Sequence, residues 1–212
     1  MTRAAQWVYE GIDQLLGVSP VLDGLMARHG APLWGRPLPA RDRFATLARM
    51  IAFQQLAGAA ASSIWARVEA ATGGAPITPE ATLAVGPDGL RAAGLSTAKV
   101  AALTDLSERV VDGRLRLGRL GTLDDEQVVE RLVTVRGIGE WSAQMFLLNA
   151  LRRHDVWPCA DLGVRAGWGK AHGTATPTAA QMPDLGEPFR PYRSLVAWYC
   201  WRSADTLVPE AG

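Results

Sequence analysis

Apolar positions recur along the chain mainly at intervals of three and four, the spacing that gathers them on one face of a helix. Ser19-Pro20 has the form of an N-cap and a first-turn proline, and predicts a helix through Met26 that stops before Gly30. Ala31 to Pro39, with three prolines and a glycine, reads as a connector. Phe44, Leu47, Ala48, Ile51 and Leu56 trace a helix from about Asp42, and Ile64, Trp65 and Val68 a second from about Ala59. After a turn-rich loop from Gly73, Pro79-Glu80 starts a short helix and Asp88 another that ends at Gly94. Val100, Leu103, Leu106 and Val110 mark a helix over Thr97–Val111. Asp124, Asp125 and Glu126 put acid on the first turn of the next one, which runs to a turn at Arg136–Gly139 and is followed by a helix from Glu140 to about Arg152. Gly173 to Pro191 reads as a long loop with a short helix near Thr178–Met182, and a last helix spans about Pro191 to Ser203. Period-two strands are nearly absent, so the expected fold is all-α, with no element assigned before Ser19.

The chain has 212 residues, 48% of them hydrophobic, enough for a packed core and too many for a disordered chain. Its longest aromatic-rich apolar run, Leu195–Trp201, has seven residues. A membrane helix needs about 18, so no membrane partner is expected. Glu10 and Asp13 interrupt the stretch where a signal peptide would be apolar, and two cysteines, Cys159 and Cys200, supply neither a disulfide scaffold nor four iron–sulfur ligands. A cytoplasmic location is the simplest expectation. His29, His154 and His172 show no metal-ligand spacing, and no metal is expected. The net charge of +1 neither favours nor excludes a polyanionic ligand. The cations are 20 Arg and two Lys, Lys99 and Lys170; Arg binds phosphate through paired hydrogen bonds, although a GC-rich genome accounts for the bias equally well.

The most informative segment is Leu132-Val133-Thr134-Val135-Arg136-Gly137-Ile138-Gly139-Glu140-Trp141-Ser142-Ala143. Two glycines flank one aliphatic residue between two amphipathic helices. Such a turn lets another molecule approach closely and points backbone N–H groups outward, so it can hold a phosphate without any cationic side chain. Ile138 would plug the joint. A plain helix–helix turn is the alternative. Further on, Asp161 stands where a helix begins. An aspartate there is an N-cap, and the same helix terminus favours its ionised form.

The hairpin segment resembles the helix-hairpin-helix (HhH-GPD) DNA glycosylase superfamily, and the resemblance extends to His154–Arg165, Ile51–Ala57, Gly94–Lys99 and Arg190–Ser194 with Trp198 and Trp201, in the expected order over roughly residues 42–202. It is nearest the alkylpurine branch, the bacterial 3-methyladenine glycosylase II type, whose larger N-terminal domain is expected to be missing because only about 40 residues precede the shared region. The resemblance implies one unit over 1–212: two helical lobes, 42–123 and 124–212, with a cleft between them and residues 1–41 packing on the second. It places Asp161 on the catalytic aspartate, whose ionised carboxylate would meet the positive charge that builds on the sugar as a base departs, and Arg136, Gly137, Ile138 and Gly139 on the phosphate-binding hairpin. By residue type alone Arg152 and Arg153 are further candidates for phosphate contact, although arginines are common on any surface. The resemblance puts Trp141 and Trp201 in the base pocket, where an indole face attracts a cationic alkylated purine. Met145 stands where the branch often has an aromatic, which leaves the substrate range open.

Gln54-Gln55-Leu56 matches the intercalating wedge, Gln55 before Leu56, although polar helix positions or a helix end explain the glutamines too. Trp141 occupies the position of the lyase members' lysine, so the resemblance implies hydrolysis without strand cleavage. The partner implied is damaged double-stranded DNA, met by a monomer at the bacterial nucleoid. No cofactor is required, and a monovalent cation at the hairpin carbonyls is allowed. The expected reaction is removal of 3-methyladenine and 7-methylguanine. The other readings are another damage specificity within the superfamily, a non-catalytic DNA-binding module, and last a helical protein-interaction domain.

Overall fold

The computed structural model describes residues 3–56 and 58–204, with the side chains of residues 3–5 left out. The described residues form helices without strands: α1 (Arg3–Leu15), α2 (Pro20–His29), α3 (Arg43–Phe53), α4 (Gly58–Ala71), α5 (Pro79–Ala92), α6 (Thr97–Val111), α7 (Asp125–Leu132), α8 (Glu140–Asn149), α9 (Leu162–His172), α10 (Met182–Gly186) and α11 (Arg193–Ser203). Short 3₁₀ turns precede α3 and α7 and follow α10. The expected all-α class is what the chain adopts.

Caps account for several boundaries. Thr78, Ser96 and Asp124 each accept a first-turn amide at the starts of α5, α6 and α7, and Gln127 closes a reciprocal capping box with Asp124. Inside α5 the backbone leaves helical geometry at Gly86, φ +69°, just before Pro87, so the two short helices read from the sequence are one run with a break. Four elements differ from the sequence reading. Helix α3 ends at Phe53, where Gln54 leaves helical geometry, so Leu56 lies outside the helix whose apolar face it was expected to extend, and is exposed. Helix α1 was not foreseen. Helix α8 ends at Asn149 instead of Arg152, because Arg152 takes a left-handed φ of +55° while Leu151 and Arg153 bond back to Phe146 and Leu147. Helix α10 starts at Met182, where the expected helix ended. Gln181 explains the shift: its side chain accepts from the Thr178 amide and hydroxyl, which holds Thr178–Gln181 as a turn.

The chain divides into two compact units, one made of residues up to 37 and from 144 onward, the other of Leu38–Ala143. The hairpin and α7 therefore group with residues 38–123, whereas the sequence boundary at 124 put them with the C-terminal lobe. In the 38–143 unit α5 packs along α6, and α3 against α4 and α6, around Leu47, Ile51, Val68, Leu90, Leu103 and Leu106. In the other unit α11 packs lengthwise on α9 and also meets α1 and α2. The Tyr199 hydroxyl of α11 donates to the Gly30 carbonyl at 2.9 Å, and burial pushes its pKa up to about 12, so it stays a donor.

Candidate functional site

Two groups of residues carry the expected chemistry, one in each unit, and each is built within its own unit.

In the 38–143 unit, Val135 and Ile138 are buried while Arg136, Gly137 and Gly139 are exposed. The turn closes through Val135 N–H to Leu132 O and Ile138 N–H to Val135 O, and the Gly139 carbonyl accepts from Ala143 in the first turn of α8. The two glycines differ in what they require. Gly137 has φ +78°, and a Cβ there would lie 3.0 Å from the Ala102 methyl, so the fold itself excludes a side chain. At Gly139 a Cβ would touch no protein atom within 4 Å, and the backbone is not left-handed. Among the described residues, neither glycine amide has a backbone acceptor. Together with the N-terminus of α8, which follows them directly, they form a surface suited to an anion.

Two side chains that the sequence reading did not select for this role fix the hairpin in place. Asp105 on α6 accepts the Arg136 amide at 2.8 Å and binds Arg109 through both oxygens at 2.9 Å. Burial alone would raise this carboxyl's pKa, but the Arg136 amide and the Arg109 guanidinium outweigh it and hold the group below the ordinary carboxylate range. A carboxyl depressed on folding adds stability above its unfolded pKa of about 4, and that contribution is lost as pH falls through the folded value. Asp105→Asn is therefore expected to lower the melting temperature by about 2–4 °C at pH 7, with the gap from wild type closing at pH 3. A gap that is the same at both pH values would contradict the assignment. Gln54 is the second anchor. Its Nε2 donates to the Gly137 carbonyl at 3.0 Å and to the Ser142 hydroxyl at 3.4 Å, so it faces the hairpin. The next residue, Gln55, is exposed with φ +57°, a conformation that costs a non-glycine residue roughly 1–2 kcal/mol. Exposed Leu56 follows it. Lys99 supports the same segment by donating to the Ala52 carbonyl at 2.8 Å. Trp141, one residue into α8, is 41% exposed, an unusual place for a large ring.

In the other unit Asp161 is the N-cap of α9. Its Oδ1 accepts the Val164 amide at 2.8 Å and the Trp201 indole N–H at 2.9 Å, and the residue is 8% exposed. The segment leading to it is tied down at successive residues. Asp155 binds Arg190 and Arg193, the Val156 amide donates to the Ser194 hydroxyl, and the Trp157 indole donates to Met182 O. Burial, and after it the charge of Asp161, pushes the Cys200 thiol well above its ordinary pKa, which keeps that sulfur neutral. Trp201 and Met145 are both about 1% exposed. The structure thus joins Trp201 to Asp161 and Gln54 to the hairpin.

Gly163 and Gly167, not singled out from the sequence, allow the first of these pairings. A Cβ on Gly163 would fall 2.8 Å from Trp201 Cδ1 and 3.1 Å from Asp161 Oδ1. One on Gly167 would overlap the Cys200 carbonyl. Their spacing of four on α9 was the available signal, a small-residue face for a neighbouring helix. Among the described residues no group of three or more His, Cys, Asp or Glu is gathered to hold a metal, and no helix is long and apolar enough to cross a membrane.

Comparison with known proteins agrees with this architecture. DNA-3-methyladenine glycosylase 1 of Schizosaccharomyces pombe is 30% identical over 172 residues, covering 80% of this chain and 75% of that protein. A crystal structure of a DNA-3-methyladenine glycosidase from Bacillus halodurans superposes with a TM-score of 0.83 at 29% identity, covering 92% of this chain and 89% of the other. A 3-methyladenine DNA glycosylase of Schizosaccharomyces pombe in complex with abasic DNA gives 0.81 at 29% identity, covering 93% and 98%. The model of the HhH-GPD superfamily of base excision DNA repair proteins matches residues 48–191, about two thirds of the sequence, and the chain belongs to that superfamily.

Proposed function

We propose that the protein is a monofunctional DNA glycosylase that removes 3-methyladenine and 7-methylguanine from duplex DNA, acting as a monomer in the cytoplasm. The observation that carries the reading is the Asp161 carboxylate, fixed at the N-terminus of α9 by two N–H donors to one oxygen. Similarity to 3-methyladenine glycosylases of several organisms supports the choice of alkylated bases.

Alkylation at N3 or N7 makes the purine cationic, so its glycosidic electron pair leaves readily with it. As the N–C1′ bond breaks, the base becomes neutral and positive charge develops on the sugar. A carboxylate facing that carbon stabilises the charge electrostatically. Water then bonds to C1′, its proton passing to the carboxylate or to solvent, and the products are a free base and an abasic site. The target must first leave the stack. Gln55, held in a strained exposed turn beside Gln54, is the side chain proposed to fill the vacated space, with Leu56 next to it. Trp141 offers an exposed indole face to a cationic base, a contact of the order of 0.5–2 kcal/mol. With Trp141 at the position where lyase members carry lysine, hydrolysis proceeds without a Schiff base and without a cofactor.

The decisive experiment is mass-spectrometric identification of what leaves methylated duplex DNA. Free 3-methyladenine and 7-methylguanine are expected; deaminated or oxidised bases instead would mean another specificity, and binding without release would reduce the protein to a DNA-binding module. The hairpin is tested separately by Gly139→Val. A Cβ there meets no protein atom within 4 Å, so the substitution is aimed at what approaches the amides. Affinity for damaged and undamaged duplex alike is expected to fall about tenfold, and unchanged affinity would remove the phosphate-binding assignment.

A further inference from the structure

We infer that Trp201 is a positioning residue for Asp161, acting through its indole N–H, rather than a ring that touches the departing base. This inference rests on the glycosylase reading of Asp161. Trp201 is about 1% exposed and its N–H lies 2.9 Å from Asp161 Oδ1, so its edge is engaged and its faces are covered. The other donor to the same oxygen is the Val164 amide, 2.8 Å away. These two donors come from different helices, α9 and α11, and leave the carboxyl group little freedom to rotate. An N-cap needs only the first bond. The second is additional.

The fold keeps that second bond at a cost to α9. Glycine in a helix interior, as at Gly167, is unfavourable by roughly 1 kcal/mol relative to alanine. In the first turn, Gly163 lies beneath the bond itself, with an added Cβ placed 2.8 Å from Trp201 Cδ1, 3.1 Å from its Nε1 and 3.1 Å from Asp161 Oδ1. Gly167, one turn on, lets the α11 backbone at Cys200 approach closely enough to present Trp201. Two glycines four apart thus bring a tryptophan N–H to a carboxylate. Trp201 orients the charge, and an oriented carboxylate needs no reorganisation as the sugar becomes cationic.

The test replaces Trp201 with 3-benzothienylalanine, which keeps the shape of the ring and exchanges the N–H for sulfur. Single-turnover release of methylpurine from methylated duplex is read beside duplex affinity and melting temperature. The maximal release rate is expected to fall about 10- to 100-fold, the effect of one charge-assisted hydrogen bond, with half-saturating concentration within about twofold of wild type. Trp201→Phe should match it. Gly163→Ala should also slow release, by displacing the pair without altering either member. A ring that touches the base would instead show a raised half-saturation that varies with the base and a rate kept by the isostere, and that result overturns the inference. So does an unchanged rate in both ring variants. If wild type releases no base at all, the glycosylase reading fails and this one with it; release unaffected by the isostere removes this one alone.

Discussion

Asp161→Asn should leave a folded protein that binds DNA and releases alkylated bases about 10²–10³-fold more slowly, the usual effect of removing one electrostatic contact to a developing charge. Asparagine is as good an N-cap as aspartate, and its amide oxygen can accept both the Val164 amide and the Trp201 indole. The geometry therefore survives while the negative charge does not. The melting temperature should stay within about 3 °C of wild type, because the cap is retained and a change of 1 kcal/mol moves a chain of this size by only 2–4 °C. Single-turnover release and thermal melting on the same preparation check both halves. A variant that releases base at the wild-type rate would show that position 161 is only a cap.

Parts of this site were legible in the sequence because they are local. The hairpin is contiguous, and Gly137 and Gly139 announce a turn wherever the flanking helices go. Asp161 opens a helix, and an aspartate at a helix start is a cap signature that needs no tertiary information. Helices α3 to α7 follow from three-and-four periodicity, and α5, α6 and α7 also have caps at their starts. Helix α1 was missed because its buried stripe, Trp7, Val8, Gly11 and Leu15, includes a glycine, which carries no apolar signal. The structure gives the reason for that glycine: a Cβ at position 11 would lie 2.6 Å from the Leu195 side chain and 2.7 Å from Tyr192.

What stayed hidden were pairings between residues far apart in the chain. Asp105 reads as half of an i,i+4 pair with Arg109, and nothing in that spacing says that its second oxygen also holds the Arg136 amide. Gln54 and Gln55 are adjacent and identical, and only the fold gives them different tasks. One faces the hairpin; the other stands exposed in a strained turn. Trp201 resembles a pocket residue in sequence, and its burial and its bond to Asp161 emerge only when α11 is seated on α9.

That seating depends most on Gly167, and Gly167→Ala should be the most damaging single-methyl substitution in the chain. The added Cβ would overlap the Cys200 carbonyl and press on its Cα, 2.9 Å away. Backbone cannot move aside as the end of a flexible side chain can, so α9 and α11 must separate along the face that buries Leu195, Tyr199 and Trp201. Overpacking in a core usually costs about 1–3 kcal/mol, and a clash with backbone on both sides of a helix pair belongs at or above the upper limit. The melting temperature should fall by about 6–12 °C, or the protein should fail to accumulate in soluble form. The opposing terms are small: alanine improves helix propensity by at most about 1 kcal/mol and removes backbone entropy from the unfolded chain. Gly139→Ala is the matched control, since the same methyl there meets no protein atom. If the two variants melt within a degree or two of each other, the close approach of α9 and α11 is not what those glycines serve.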